Sequence, residues 1–235
     1  TKEIILNRQD DFPKMPRPVF QEVKAGETHR ISDHFSATFF SVEHNIPEGV
    51  GMVIDTPVGK VVHPGEFKFD YDAEGKPKDL NVWESVGKQG IHTLMMDSTG
   101  AEVPGWSMSE RIVEKELEKL FKDAKGRIIV ATFASLLGRI AEIIKIAEHI
   151  GRKVAISGYS MQTNIQIATT LGYLKPEKGT IIPLEEVRKY RDDKVLILST
   201  GAQGESNAAL VRIATGEHRH VQLKSTDTVI LSSSI

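Results

Sequence analysis

Two rhythms of apolar and polar positions divide this chain near residue 105. Upstream, short alternating or apolar runs at 29–31, 36–42, 51–56, 60–63 and 91–96 are punctuated by Pro47-Glu48-Gly49 and Pro57-Val58-Gly59. That spacing predicts the strands of an antiparallel meander. The stretch 70–88 contains Asp72-Ala73-Glu74-Gly75-Lys76-Pro77-Lys78-Asp79 and reads as a polar surface loop. Downstream the period lengthens. Ser107-Met108-Ser109-Glu110 has the form of a capping box, and Ile112, Val113, Leu117, Leu120 and Phe121 recur at helical spacing, which predicts a helix over about 108–122. Strands at 128–133, 154–157, 195–199 and 228–232 then alternate with helices at about 136–150, 160–171 and 206–214. Such alternation predicts an α/β fold with a mostly parallel, doubly wound sheet. The stripe Ile140, Ile143, Ile144, Ala147 and Ile150 is core packing on a helix face.

Length permits one large domain or two small ones, and the change of rhythm selects two, 1–104 and 105–235. With 40% hydrophobic and 26% charged residues the composition is that of a soluble globular protein. No apolar run approaches the ~18 residues of a membrane span. The chain has no cysteine, so disulfides and thiolate-bound metal are excluded and His, Asp and Glu are the available ligands. Absence of cysteine and of a secretory pattern at Thr1-Lys2-Glu3-Ile4-Ile5-Leu6 makes a cytoplasmic location the expectation. Thirty Lys and Arg against 32 Asp and Glu leave a net charge of −2, so binding to nucleic acid would need a local basic patch.

Candidate chemistry collects where strands end. Phe39-Phe40-Ser41-Val42-Glu43-His44-Asn45-Ile46-Pro47 and Val62-His63-Pro64-Gly65-Glu66-Phe67-Lys68-Phe69-Asp70 each present one metal-type ligand, His44 or Glu66, just past a strand. Asp97 follows the 91–96 strand and precedes Ser98-Thr99-Gly100, where a turn-capping role is the plain alternative. Phe133-Ala134-Ser135 and Ser199-Thr200-Gly201-Ala202-Gln203-Gly204 each join a strand to a helix, at the sheet edge where backbone N–H groups favour anions. Ser135 and Ser206 could instead serve as ordinary helix caps. His218-Arg219-His220 has the spacing of a strand face but reads better as an exposed basic loop, and His63 reads as packing. Neither a Gly-x-Gly-x-x-Gly nor a phosphate-binding Gly-x-x-x-x-Gly-Lys loop occurs, which removes the common nucleotide-binding enzymes.

Taken in order, Glu43-His44-Asn45-Ile46-Pro47, Gly65-Glu66-Phe67-Lys68-Phe69-Asp70, Asp97-Ser98-Thr99-Gly100-Ala101-Glu102, Phe133-Ala134-Ser135 and Thr200-Gly201-Ala202-Gln203-Gly204-Glu205 resemble the ribonuclease J family of metallo-β-lactamase/β-CASP nucleases. The resemblance implies a partial αββα lactamase sandwich followed by a β-CASP domain. It implies a two-zinc ribonuclease that cuts RNA internally and from the 5′ end, often as a homodimer. His44 and Glu66 would then be metal ligands, Asp97 an acid near the metals, and Ser135, Gly201 and Ala202 contacts to RNA phosphates. The chain departs from the family pattern as well. It has no His-x-His-x-Asp-His cluster, and the family's later histidine motifs would follow Ile235. Glu66, Ala202 and Leu136 stand where the family commonly has Asp, Ser and Asn. The expectation is therefore an excerpt or divergent relative that is inactive by itself, with a degenerate, non-catalytic RNA- or partner-binding protein as the competing reading.

Overall fold

The computed structural model describes residues 1–9, 11–71, 75–78, 80–105 and 108–233. The chain forms two compact units, Thr1–Glu110 and Arg111–Ile235.

In the first unit a short helix α1 (Lys2–Gln9), which buries no residue, precedes β1 (Thr28–Arg30), β2 (Ser36–Ser41), β3 (Val50–Thr56) and β4 (Gly59–His63). Helix α2 (Leu80–Gly87) and β5 (Ile91–Leu94) complete it. The strands lie in sequence order, with antiparallel ladders from β1 to β4. The meander expectation fails at its last step, where β5 runs parallel to β4. A parallel neighbour needs a crossover, and α2 supplies it. Residues 80–87 are thus helical, not the loop that the polar 72–79 stretch suggests. Val82, Trp83 and Val86 place i, i+1 and i+4 on one face, and they pack on Phe40, Val53 and Val62 of the sheet. Helix α1 also lies in a region read as β-rich, its charged residues giving no apolar stripe to detect.

The second unit contains α3 (Glu110–Asp123, whose first residue is the last of the first unit), β6 (Ile128–Ala131), α4 (Leu137–His149), β7 (Lys153–Ser157), α5 (Tyr159–Thr170), β8 (Ile181–Ile182), β9 (Val195–Ser199), α6 (Ala209–Ala214) and β10 (Thr228–Leu231). Its sheet has the order β10-β6-β9-β7-β8, and every ladder is parallel. Strand alternation sorts the core into two layers. Ile128, Val130, Leu196, Leu198, Val154 and Ile156 face α3, α4 and α5, whereas Ile129, Ile197, Val195 and Ala155 face α6 and the 3-10 segment Leu184–Lys189. This is the doubly wound α/β sheet that the sequence predicts. Each fully buried branched aliphatic here contributes roughly 2 kcal/mol by leaving water.

Helix α3 begins at Glu110, two residues later than expected, and Ser107 lies outside the described residues. The Glu110 N–H is accepted by Asp70 Oδ1 at 3.0 Å and its carboxylate pairs with Lys68 at 2.8 Å. The partners are thus about 40 residues away and invisible to a local capping pattern. Polar anchors brace the lower end of the sheet. Arg127 makes a bidentate pair with Asp227, its Nη2 at 2.6 Å, with both side chains essentially buried. The buried Arg152 guanidinium donates to the carbonyls of Gly126, Ala124 and Val195.

Candidate functional site

Three separated segments of the first unit bring the candidate ligands together. Val42 N–H bonds to Gly49 O and closes the turn that carries His44. Lys68 N–H donates to Glu43 O at 2.8 Å, which laces the segment after Glu66 onto the segment before His44. Met95 N–H donates to Val62 O, extending the β4–β5 pairing toward Asp97. The outcome is a His44 Nδ1 to Glu66 Oε2 separation of 3.6 Å, with Glu66 well exposed and His44 partly so. Asp97 follows the end of β5, and the His44 imidazole is among the groups that influence its carboxyl.

Aromatic packing fixes the Glu66 segment. Phe67 and Phe69 flank Lys68, and both rings meet Trp83 of α2, with centroids 5.0 and 5.3 Å away. Asp70 is then held from several sides. Burial alone would raise its carboxyl pKa, but the Lys78 ammonium and the N–H groups of Glu110 and Tyr71 bring it below the ordinary aspartate value. His63, read as packing, is exposed, and its Nδ1 accepts the Gly65 N–H at 3.0 Å, shaping the turn that precedes Glu66.

Asp97 takes the Thr99 N–H at 3.0 Å and the Thr99 hydroxyl at 2.8 Å. Those two bonds, together with His44, hold its carboxyl below the usual range. The turn-capping role is therefore present, beside the proximity to His44. An imidazole and two carboxylates are suitable donors for zinc. Among the described residues, however, no group of three or more His, Asp or Glu is arranged to hold a metal ion. His44 and Glu66 can supply part of a coordination shell, not a whole one.

The second unit positions Ser135, Gly201 and Ala202. They sit at one edge, because β6 and β9 are parallel neighbours and Thr132 N–H continues their ladder to Ser199 O. The Leu136 N–H bonds to Phe133 O and the Leu137 N–H to Ser135 O, so the loop consumes two of its own donors. The N-cap positions of α4 and α6 are Leu136 and Ala208, which make no side-chain cap, hence Ser135 and Ser206 are not the helix caps they could have been. Beyond β9, Thr200 accepts the N–H of Leu210 on its carbonyl and that of Ala209 on its hydroxyl. Gly201 is buried with φ +105°, and a Cβ there would lie 2.6 Å from that of Ala208. A Gly201→Val change would thus disturb the loop itself and cannot report on ligand approach alone. Ala202 is half-buried and residues 203–207 are exposed.

The basic cluster departs from expectation at one residue: the segment is a loop with Arg219 exposed, but His218 is buried. Its Nδ1 accepts the N–H groups of Val221 and His220, at 3.1 and 3.3 Å. That leaves the ring proton on Nε2, which donates to Ser157 Oγ at 3.0 Å. Burial, then Arg212 and His220, push the His218 pKa down, which agrees with a neutral ring. His218, His220, Arg212 and Arg219 line a cavity of about 760 Å³ with Ser157 and Tyr159. An i, i+2 histidine pair cannot reveal this, because the burying partner is 61 residues away.

Comparison with known proteins places these features in context. Residues 125–235 match the family model described as the β-CASP domain of ribonuclease J. The chain is similar to ribonuclease J of Thermus thermophilus, 42% identical along 100% of this chain and 41% of that protein. It is also similar to ribonuclease J 1 of Streptococcus pyogenes, 46% identical over 86% of this chain and 36% of that one. Ribonuclease J of Mycoplasma pneumoniae is 41% identical over 86% of this chain and 35% of its own length. The chain thus spans between about a third and two fifths of these relatives. A crystal structure of a protein of unknown function from Enterococcus faecalis V583 covers 98% of this chain and is itself covered over 63%, with a TM-score of 0.64 and 16% identity, a likeness of fold alone.

Proposed function

We propose, from the premise that this chain belongs to the ribonuclease J family, that it is a portion of a zinc-dependent ribonuclease acting in RNA processing and decay. The observation that carries the reading is the 3.6 Å approach of His44 and Glu66, brought from two separate strand ends, with Asp97 on a third strand end whose carboxyl His44 influences. Zinc, when bound, would activate water and neutralise charge on the attacked phosphodiester. His44 would offer an imidazole nitrogen and Glu66 a carboxylate, while Asp97, already ionised by its turn, would supply a fixed negative charge beside them. Ser135 and Ala202 would contact RNA phosphates, with both endonucleolytic and 5′-to-3′ action and cytoplasmic RNA as the expected setting. The closed Thr200–Leu210 turn limits the backbone donors on offer, which puts more weight on the Ser135 hydroxyl.

The test uses the protein encoded by the whole reading frame, zinc and end-labelled RNA. His44→Ala should lower turnover by at least roughly a hundredfold. Turnover unchanged in that variant would remove the site. The 235-residue chain alone should bind zinc weakly and show no cleavage above background, because only part of a coordination shell converges. Stoichiometric binding of two zinc ions by it would contradict this. One observation favours the competing, non-catalytic reading: Glu66 reaches one methylene further than the aspartate of the family pattern, and zinc–oxygen contacts must fall near ~2.0–2.2 Å. Glu66→Asp in the whole protein separates the readings, since increased cleavage marks a weakened enzyme and unchanged background marks a binder.

A further inference from the structure

The cavity of about 760 Å³ at the β7–β8 end of the second unit belongs to none of the residues assigned above to RNA or metal. Its walls combine two chemistries. Ile182, Pro183 and Leu184 form an apolar side, and the Tyr159 ring, 78% exposed, stands at the margin. Opposite lie Arg212 and Arg219, both exposed and both without an ion-pair partner among the described residues. His220 contributes a third basic group, which Glu185 partly answers at 3.6 Å.

Ser157 adds a buried donor. It is 1% exposed, lines the cavity, and accepts the His218 Nε2–H, so its own hydroxyl proton has no acceptor among the described residues. His218 cannot serve it as a base, because its Nδ1 is occupied by two backbone N–H groups and its Nε2 carries the proton. A nucleophilic serine is therefore the wrong description, and a binding donor the right one. Gly158, beside Ser157, has φ +124°, and a Cβ there would lie 2.7 Å from Thr200 Oγ1, so the close pass of the chain by Thr200 requires glycine.

We propose that this cavity binds a free nucleoside monophosphate. Two guanidinium groups without an ion-pair partner among the described residues line it, and the planar fork of arginine suits the oxygens of a phosphate. The volume exceeds what inorganic phosphate fills and lies in the usual range for whole small-molecule ligands. The apolar wall and the Tyr159 ring suit a base and ribose, with stacking as the contact available to the ring. The site is separate from residues 44, 66 and 97 and stands or falls apart from the nuclease reading.

Calorimetric titration of the 235-residue chain with adenosine 5′-monophosphate tests it, with adenosine, inorganic phosphate and a short 5′-phosphorylated RNA as comparison ligands. Expected is saturable one-to-one binding of the monophosphate, weaker binding of adenosine and of phosphate alone, and a loss of roughly tenfold for each of Arg212→Ala and Arg219→Ala. Both arginines are exposed, so circular dichroism should show the variants folded. Tyr159→Ala should weaken the nucleotide while leaving phosphate unchanged. No saturable binding at millimolar nucleotide, or equal binding by both arginine variants, overturns the proposal. Displacement of the nucleotide by 5′-phosphorylated RNA at equal concentration would overturn the free-ligand assignment in favour of an RNA terminus.

Discussion

In the Arg111–Ile235 unit, β6 and β9 are buried along their whole length on both faces, whereas the Thr1–Glu110 unit gathers Phe40, Val42, Val53, Val62 and Val86 on one side of its sheet around Trp83. At the end of β5 of that first unit and just past it, Leu94, Met95 and Met96 are about half exposed. The difference bears on where chemistry can be held. Donor residues of the first unit sit on loops whose position depends on a few aromatic contacts, so ligand geometry and local stability are coupled. In the second unit the central strands are buried independently of the loops at the sheet's edge, and polar groups can line a cavity there without endangering the core.

The largest expected effect would break the second unit. Replacing Asp227 by Ala leaves Arg127 buried and uncompensated, and should cost about 3–5 kcal/mol in a denaturant titration of the chain. A loss under 1 kcal/mol would mean that water reaches the pair. Amide exchange should show the loss in β6, β9 and β10, and not in β2 to β4.

A second change tests the thinner core. Trp83 is only partly buried, so Trp83→Ala should cost about 2 kcal/mol, below the ~3–5 kcal/mol of a fully enclosed aromatic. Exchange protection should fall around Phe67 and Phe69 while the second unit is untouched, and in the whole protein metal affinity should fall with it. Loss spread evenly over both units would erase the distinction drawn here.

The smallest effect concerns Asp70. Asp70→Asn keeps an acceptor for the Glu110 N–H but removes the charge that pairs with Lys78, and should destabilise by about 1 kcal/mol, the upper end for a partly exposed ion pair. Because the folded-state pKa lies below the ordinary aspartate value, the ionised carboxylate adds stability that is fully present above that value. It is lost as pH falls through the folded pKa. A melting-temperature series between neutral and acid pH should therefore converge for parent and variant at the acid end, and curves that stay parallel would show that Asp70 is not the titrating group.

Legibility in the sequence followed the same division. Ile128-Ile129-Val130-Ala131 and Val195-Leu196-Ile197-Leu198 announce themselves because burial on both faces demands unbroken apolar runs. Helix α2 was hidden, since Val82, Trp83 and Val86 follow a run of turn-forming residues, and β5 gave no sign that its partner would be parallel. The motif order flags His44, Glu66 and Asp97, but the 3.6 Å approach depends on Lys68 N–H reaching Glu43, a contact no local pattern encodes. His218 was misjudged for a related reason: its fate is decided by Ser157, far away along the chain.

Strand β6 lies between β9 and β10, both of which come later in the chain, and Arg127 at its base finds Asp227 only 100 residues on. During synthesis the first strand of this sheet is therefore made without either neighbour. Closing loops of that length is entropically slow, so the unit should assemble late and nearly all at once, not strand by strand. Until β9 and β10 arrive, the apolar run 128–131 is an unsatisfied edge, the segment of this chain with most need of a chaperone's cover.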